Sequence, residues 1–82
     1  MKLIQCEQCK NTIPLIMGIN SRVIDCNRKE NDSYLKLTCV LGIYCSECGE
    51  ESRLSIQRYF STEFSGIPTK YLIDMALRDN GI

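Results

Sequence analysis

The stretch LGIYCSECGEE, residues 41–51, decides how this chain folds. It ends an apolar run with Cys45 and Cys48 at C-x-x-C spacing, followed by a glycine, and Cys6 and Cys9 repeat that spacing near the N-terminus. Two intervening residues let the backbone curl into a knuckle whose amides point at the sulfurs, and glycine tolerates the left-handed conformation that completes the turn. Four thiolates are the ligands of a structural Zn²⁺ in its tetrahedral shell. The sequence therefore predicts one structural zinc on Cys6, Cys9, Cys45 and Cys48.

The size and composition of the chain favour a metal-stabilised cytoplasmic protein. With 82 residues it lies near the lower limit for a self-sufficient core, and a zinc site contributes folding free energy. Six cysteines would also suit the disulfide framework of a secreted protein. However, the first residues show no signal-peptide pattern, and no stretch approaches the ~20 apolar residues of a membrane span. We expect a cytoplasmic protein with no membrane partner.

Alternating apolar residues predict a small antiparallel sheet. The pattern is clearest over 34–44, where every second side chain from Leu35 to Ile43 is apolar apart from Cys39. Further strands are predicted over 1–5, 22–26 and 53–60, with a hairpin tip over 27–33 and an edge strand or irregular connector over 13–19.

The C-terminal part of the chain predicts a helix from Pro68 to Asn80. Proline suits the first helical turn, and Gly81 is placed as a C-terminal cap. Apolar side chains cover a wider band of this helix than one small sheet buries. The predicted fold is a zinc ribbon over 1–60, with a three-stranded antiparallel sheet and two knuckles. A linker and an amphipathic helix follow over 61–82, and this helix packs on the ribbon or on a partner.

Several residues are candidates for binding a partner. For a larger protein these are the helix residues Tyr71, Leu72, Met75 and Ala76 and the outer sheet residues Tyr34, Tyr44 and Tyr59. The helix could instead pair with its copy in a homodimer. A nucleic acid is the alternative partner, through Arg22, Arg28, Lys29 and Lys36, although ten basic and ten acidic residues leave no overall basic footprint.

The available chemistry argues against an enzyme. The chain has no histidine, so histidine-based acid–base catalysis is excluded, and a closed Cys₄ site has no vacant position for substrate. Iron also suits a tetrahedral thiolate shell, so a rubredoxin-like electron carrier is a remote alternative. Cys26 and Cys39 remain. Cys39 lies on the apolar face of its strand and is predicted to be core, whereas a disulfide to Cys26 requires that the two face each other, which the hairpin turn does not guarantee.

The run from Val40 to Glu51 resembles the end of the YgiT-type zinc finger, the N-terminal domain of MqsA-like antitoxins. The resemblance covers about residues 3–56. It departs from the family at Glu7 and Ser46, which stand where the family has proline, and one short helix leaves no room for its helix-turn-helix. The resemblance implies a structural zinc and a surface that docks a protein. The expected function is a small zinc-binding protein-interaction module, such as an antitoxin-like or phage-type regulator of a larger protein.

Overall fold

The structure, a computed structural model, describes residues 2–82 as a small β-rich fold with one C-terminal helix. The strands are β1 (Lys2–Gln5), β2 (Thr12–Leu15), β3 (Ser21–Glu30), β4 (Leu35–Tyr44) and β5 (Glu51–Phe60); a 3₁₀ turn (Thr62–Gly66) leads into helix α1 (Thr69–Asp79). Strands β1 and β2 form one antiparallel pair, and β3, β4 and β5 form a second antiparallel sheet with β4 at its centre. The predicted antiparallel strands and C-terminal helix are confirmed. Within the described residues, no helix is long and apolar enough to cross a bilayer.

The β3–β4 hairpin is longer than the sequence predicts. Residues 27–30, which the charges suggested to be loop, continue β3 and pair with 35–38. The tip shrinks to four residues, in which the Asn31 side-chain oxygen accepts hydrogen bonds from the amides of Ser33 and Tyr34, at 2.8 and 2.9 Å. Because pairing with β4 satisfies the backbone and every second side chain can stay in water, a charged segment still makes a good strand.

The segment between the first knuckle and β3 is part strand and part turn. Residues 12–15 pair with β1, and Pro14 is accommodated because β2 is an edge strand. Asn20 then holds the turn, since its Oδ1 accepts from the Ile16 amide at 2.8 Å and its Nδ2 donates to the Pro14 carbonyl. Farther on, a bulge between Val23 and Asp25 interrupts the register of β3 with β4.

The core lies between one face of the central sheet and α1, and it continues to β2 and to the knuckle residues Cys6 and Cys45. Every inward side chain of β4 is fully buried, namely Leu35, Leu37, Cys39, Leu41 and Ile43. From α1, Leu72 and Ala76 are 0 and 1 % exposed, so they belong to this core. The helix packs on the sheet of its own chain. This corrects the predicted helix face: Leu72 and Ala76 are buried within the chain, and only Tyr71, which is 52 % exposed, and the partly buried Met75 reach the surface.

Two arginines fasten the C-terminal segment to the sheet. The Arg28 guanidinium donates to the carbonyls of Ser65 and Ile67, at 2.6 and 2.8 Å. The Arg58 guanidinium lies 2.8 Å from the Asp79 carboxylate at the end of α1. These bonds fix where the helix begins and ends on the sheet.

Candidate metal centre

The two C-x-x-C segments fold into nearly identical turns. In the first, the Lys10 amide donates to the Cys6 carbonyl at 3.0 Å; in the second, the Gly49 amide donates to the Cys45 carbonyl at 2.8 Å. A second hydrogen bond closes each turn: the Cys6 amide donates to the Asn11 carbonyl, and the Cys45 amide donates to the Glu50 carbonyl, both at 2.9 Å. The shared spacing therefore produces a shared backbone conformation.

The residue after each second cysteine is left-handed, as the turn requires. Gly49 has φ 78°, which is the role that the sequence assigns to it, and Lys10 has φ 65° in the matching position. A side chain at positive φ is disfavoured by about 1–2 kcal/mol. Lys10 was not singled out from the sequence, because only its position after Cys9 marks it.

The four predicted sulfurs come together between the two turns. All lie within 4.8 Å of one another. The Cys6–Cys48 pair is 3.6 Å apart and the Cys9–Cys45 pair is 3.7 Å apart. A regular tetrahedron with metal–sulfur distances of 2.3 Å has sulfurs about 3.8 Å apart. The group can therefore hold a metal ion, and an all-thiolate donor set suits zinc or iron.

The electrostatics of this cluster favour a bound cation. The backbone amides of Cys9 and Gln8 lower the pKa of the Cys6 thiol to about 6. For Cys48 the Glu50 amide lowers the pKa, but burial and the three neighbouring sulfurs outweigh it and raise the pKa to about 12. Four sulfurs this close cannot all carry negative charge unless a positive ion lies among them.

Ser52 is a supporting residue that sequence reasoning missed. It lies in β5 with 2 % exposure, and its hydroxyl donates to the Cys6 sulfur at 3.9 Å. The same oxygen accepts a hydrogen bond from the Glu7 amide at 3.2 Å. Ser52 therefore ties the first knuckle to β5. No motif marks this serine, because its role depends on how the two knuckles meet.

The tyrosines predicted for the outer face of the sheet are exposed there. Tyr34 and Tyr59 form an edge-to-face pair with ring centroids 5.2 Å apart. Lys36 lies directly across the ladder from Tyr59, with its Nζ 5.5 Å from the ring centroid, and Lys29 is its partner on β3. We call Tyr34, Tyr59, Lys29 and Lys36 the outer patch. Tyr44 is also exposed, but at the knuckle end of β4.

The basic residues predicted for nucleic acid do not form one cluster. Arg28 is committed to the carbonyls described above, and its side chain is 19 % exposed. Arg22 lies 4.0 Å from the Glu51 carboxylate near the metal centre. Of the four, only Lys29 and Lys36 are direct partners across the sheet.

Comparison with known proteins yields no relative. The chain matches no protein-family model, and it matches no curated protein and no solved structure. The resemblance to the YgiT-type zinc finger stays a prediction that rests on the residues quoted for it.

Proposed function

We propose that the protein is a zinc ribbon in which one structural Zn²⁺ joins the two knuckles. The observation that carries this proposal is the group of four sulfurs with separations of 3.6 and 3.7 Å across its two closest pairs. All four ligands would be thiolates, so the shell is closed and offers no position for water or substrate. The ion would stabilise the fold and take no part in catalysis, and the protein would not be an enzyme.

We further propose that this ribbon is a cytoplasmic protein-interaction module, an antitoxin-like or phage-type regulator that binds a larger protein. The outer patch supports this proposal. Its two tyrosines are 40 and 54 % exposed although they are large and partly apolar. Aromatic residues at the centre of such a surface contribute strongly to protein binding. The two adjacent lysines favour a partner whose surface is acidic.

Nucleic acid is the second candidate partner, because lysines beside exposed aromatic rings also suit phosphates and bases. The charge distribution gives this candidate less support. Arg28 is held by backbone carbonyls, and the whole chain has no net charge. A homodimer through α1 has less support still, since Leu72 and Ala76 are buried within one chain.

The metal proposal is tested by elemental analysis of purified protein and by Co²⁺ substitution. We expect one zinc per chain and the visible absorption of Co²⁺ in a tetrahedral thiolate shell. Cys48→Ser should lose the metal and the spectrum, whereas the matched variant Cys26→Ala should keep both. Protein without bound metal would refute the proposal. A coloured protein that contains iron would show that the bound ion is iron and not zinc.

The partner proposal is tested by affinity capture from the native host with three proteins. The wild type and the control Ile19→Ser, at an exposed residue of the turn before β3, should retain one stoichiometric protein, and the double variant Lys36→Ser, Tyr59→Ser should lose it. Equal capture by all three would contradict a role for the outer patch. Binding to a fluorescent oligonucleotide that weakens steeply with salt would favour the nucleic-acid alternative.

A further inference from the structure

The cysteines outside the metal centre meet each other on the inner face of the central sheet. Cys26 on β3 and Cys39 on β4 are direct partners in the ladder. Their sulfurs lie 3.5 Å apart, and the Cys39 thiol donates a hydrogen bond to the Cys26 sulfur. The hairpin register therefore produces the face-to-face arrangement that the sequence left open.

The position of this pair in the ladder suits a covalent bond. The Asn31 amide donates to the Tyr34 carbonyl at the hairpin tip. Residue pairs in an antiparallel ladder alternate between hydrogen-bonded and non-hydrogen-bonded. Asn31–Tyr34 is a hydrogen-bonded pair, and Cys26–Cys39 is the fifth pair after it, so Cys26–Cys39 is non-hydrogen-bonded. Residues in such pairs have Cα atoms about 4.5 Å apart, which is within the range that a disulfide spans. The two sulfurs are 3.5 Å apart and would approach to the ~2 Å of a disulfide bond.

We propose that Cys26 and Cys39 are a disulfide-forming site, oxidised by thiol–disulfide exchange with a small-molecule disulfide while the other four cysteines hold the metal. The site is independent of the proposed function. It adds a second cross-link, in the middle of the hairpin, to the metal that joins the knuckles.

The difference in accessibility between the two sulfurs sets the order of the steps. Cys26 is half-buried and Cys39 is fully buried. Burial, and then the neighbouring Cys26 sulfur, raise the pKa of the Cys39 thiol to about 12, so it stays protonated. The accessible Cys26 is therefore the attacking residue, and Cys39 is the resolving one.

The exchange balances in two steps. The Cys26 thiolate attacks one sulfur of the small disulfide, which forms a mixed disulfide and releases one thiolate. That thiolate takes up a proton, which replaces the one that Cys26 gave to water. The Cys39 thiol then loses its proton to water, its thiolate attacks the Cys26 sulfur, and the second small thiolate leaves and takes up a proton. The protein loses two electrons and the small disulfide gains them, becoming two thiols.

The test treats zinc-loaded protein with oxidised glutathione and maps the products by mass spectrometry after thiol blocking and trypsin digestion. For the wild type we expect peptide 23–28 joined to peptide 37–53, with the zinc content unchanged. Cys39→Ser should stop at a glutathione adduct on Cys26. Cys26→Ser should stay unmodified, because Cys39 is not accessible.

The oxidised wild type should also melt on the order of 10 °C higher than the reduced form, because the bond closes a hairpin loop in the unfolded chain. The Cys39→Ser adduct should show no such rise. A wild type that accumulates the glutathione adduct without closing the ring, or in which no cysteine reacts, would overturn the proposal. Joined peptides that appear only after the zinc is lost would also overturn it.

Discussion

The two ends of this elongated molecule are closed by different physical means. The molecule measures 44 × 18 × 15 Å, and β4 runs from the hairpin tip at one end to the second knuckle at the other. At the knuckle end, two four-residue strands and two turns surround four sulfurs. At the helix end, α1 covers the sheet with apolar side chains, and two arginines hold the segment in place. One cluster of buried side chains runs between the two ends, and each end adds its own closure to it: four sulfurs at one, a helix at the other.

Removing a sulfur at the knuckle end should have the largest effect. Structural zinc contributes about 10–16 kcal/mol of apparent binding free energy, which is comparable to the whole stability of a domain, about 5–15 kcal/mol. We therefore expect Cys45→Ser to abolish cooperative thermal unfolding, followed by circular dichroism. Cys39→Ala is the control, with an expected loss of about 1 kcal/mol. A Cys45→Ser protein that still melts cooperatively would contradict a structural metal.

Shortening a buried side chain at the helix end should have the next largest effect. Leu72 is fully buried, so Leu72→Ala should lower the free energy of unfolding in urea by about 2–5 kcal/mol. The exposed neighbour Tyr71 provides a control, since Tyr71→Ala should change it by about 0.5 kcal/mol or less. Zinc content should stay at one per chain in both variants. Loss of zinc from Leu72→Ala would show that the two ends are not closed independently.

The hydrogen bonds that hold the C-terminal segment on the sheet can be tested at Arg28. Arg28→Gln removes charged hydrogen bonds to the carbonyls of Ser65 and Ile67, each worth about 1.5–3 kcal/mol when made to a charged group. Because the glutamine amide can still donate to one of the two carbonyls, we expect a loss of about 2 kcal/mol and faster amide exchange in the Thr62–Gly66 turn. Lys29→Gln, at the exposed neighbouring position, should change neither measurement. Equal effects from the two variants would indicate a general charge effect.

The contribution of the Ser52 hydroxyl to metal binding at the knuckle end can be tested by substitution. Ser52→Ala removes the hydroxyl that lies between the Cys6 sulfur and the Glu7 amide. Losing such a partner typically weakens metal binding about 10–100-fold, which competition with a zinc chelator measures. Ser55→Ala, on the exposed side of β5, is the control and should keep the wild-type affinity. An unchanged affinity in Ser52→Ala would show that the hydroxyl does not support the sulfur.

The smallest effects should come from the two left-handed positions. Lys10→Gly should stabilise the protein by up to about 1 kcal/mol, because it relieves a side chain at positive φ. Gly49→Ala should destabilise it by about 1–2 kcal/mol, and the space around Gly49 is otherwise open. Thermal melts of the two variants should thus move in opposite directions. Shifts of the same sign would show that the two knuckles are not equivalent.

The sequence predicts the sulfur cluster well because its signal is local. Each C-x-x-C pair with its turn is contained in a few residues, and the alternation in β4 identifies the strand that leads into the second pair. The antiparallel sheet and the terminal helix follow from similar short-range patterns.

The features that the sequence did not predict depend on register and packing. Whether Cys26 faces Cys39 depends on where the hairpin turns, and the charges of 27–30 pointed to an earlier turn. The role of Ser52 depends on how the knuckles meet, and that of Arg28 on where the C-terminal segment crosses β3. Likewise, the wide apolar band of α1 did not reveal that Leu72 and Ala76 would be the inward side chains.

The bulge between Val23 and Asp25 has a consequence for the behaviour of the protein in concentrated solution. Strand β3 is an outer strand of the central sheet, and its unpaired side is a template on which another chain could add a strand. A chain with equal numbers of acidic and basic residues gains little electrostatic repulsion between copies. The bulge bends this edge and so hinders such pairing, which makes backbone irregularity a safeguard against aggregation where charge does not provide one.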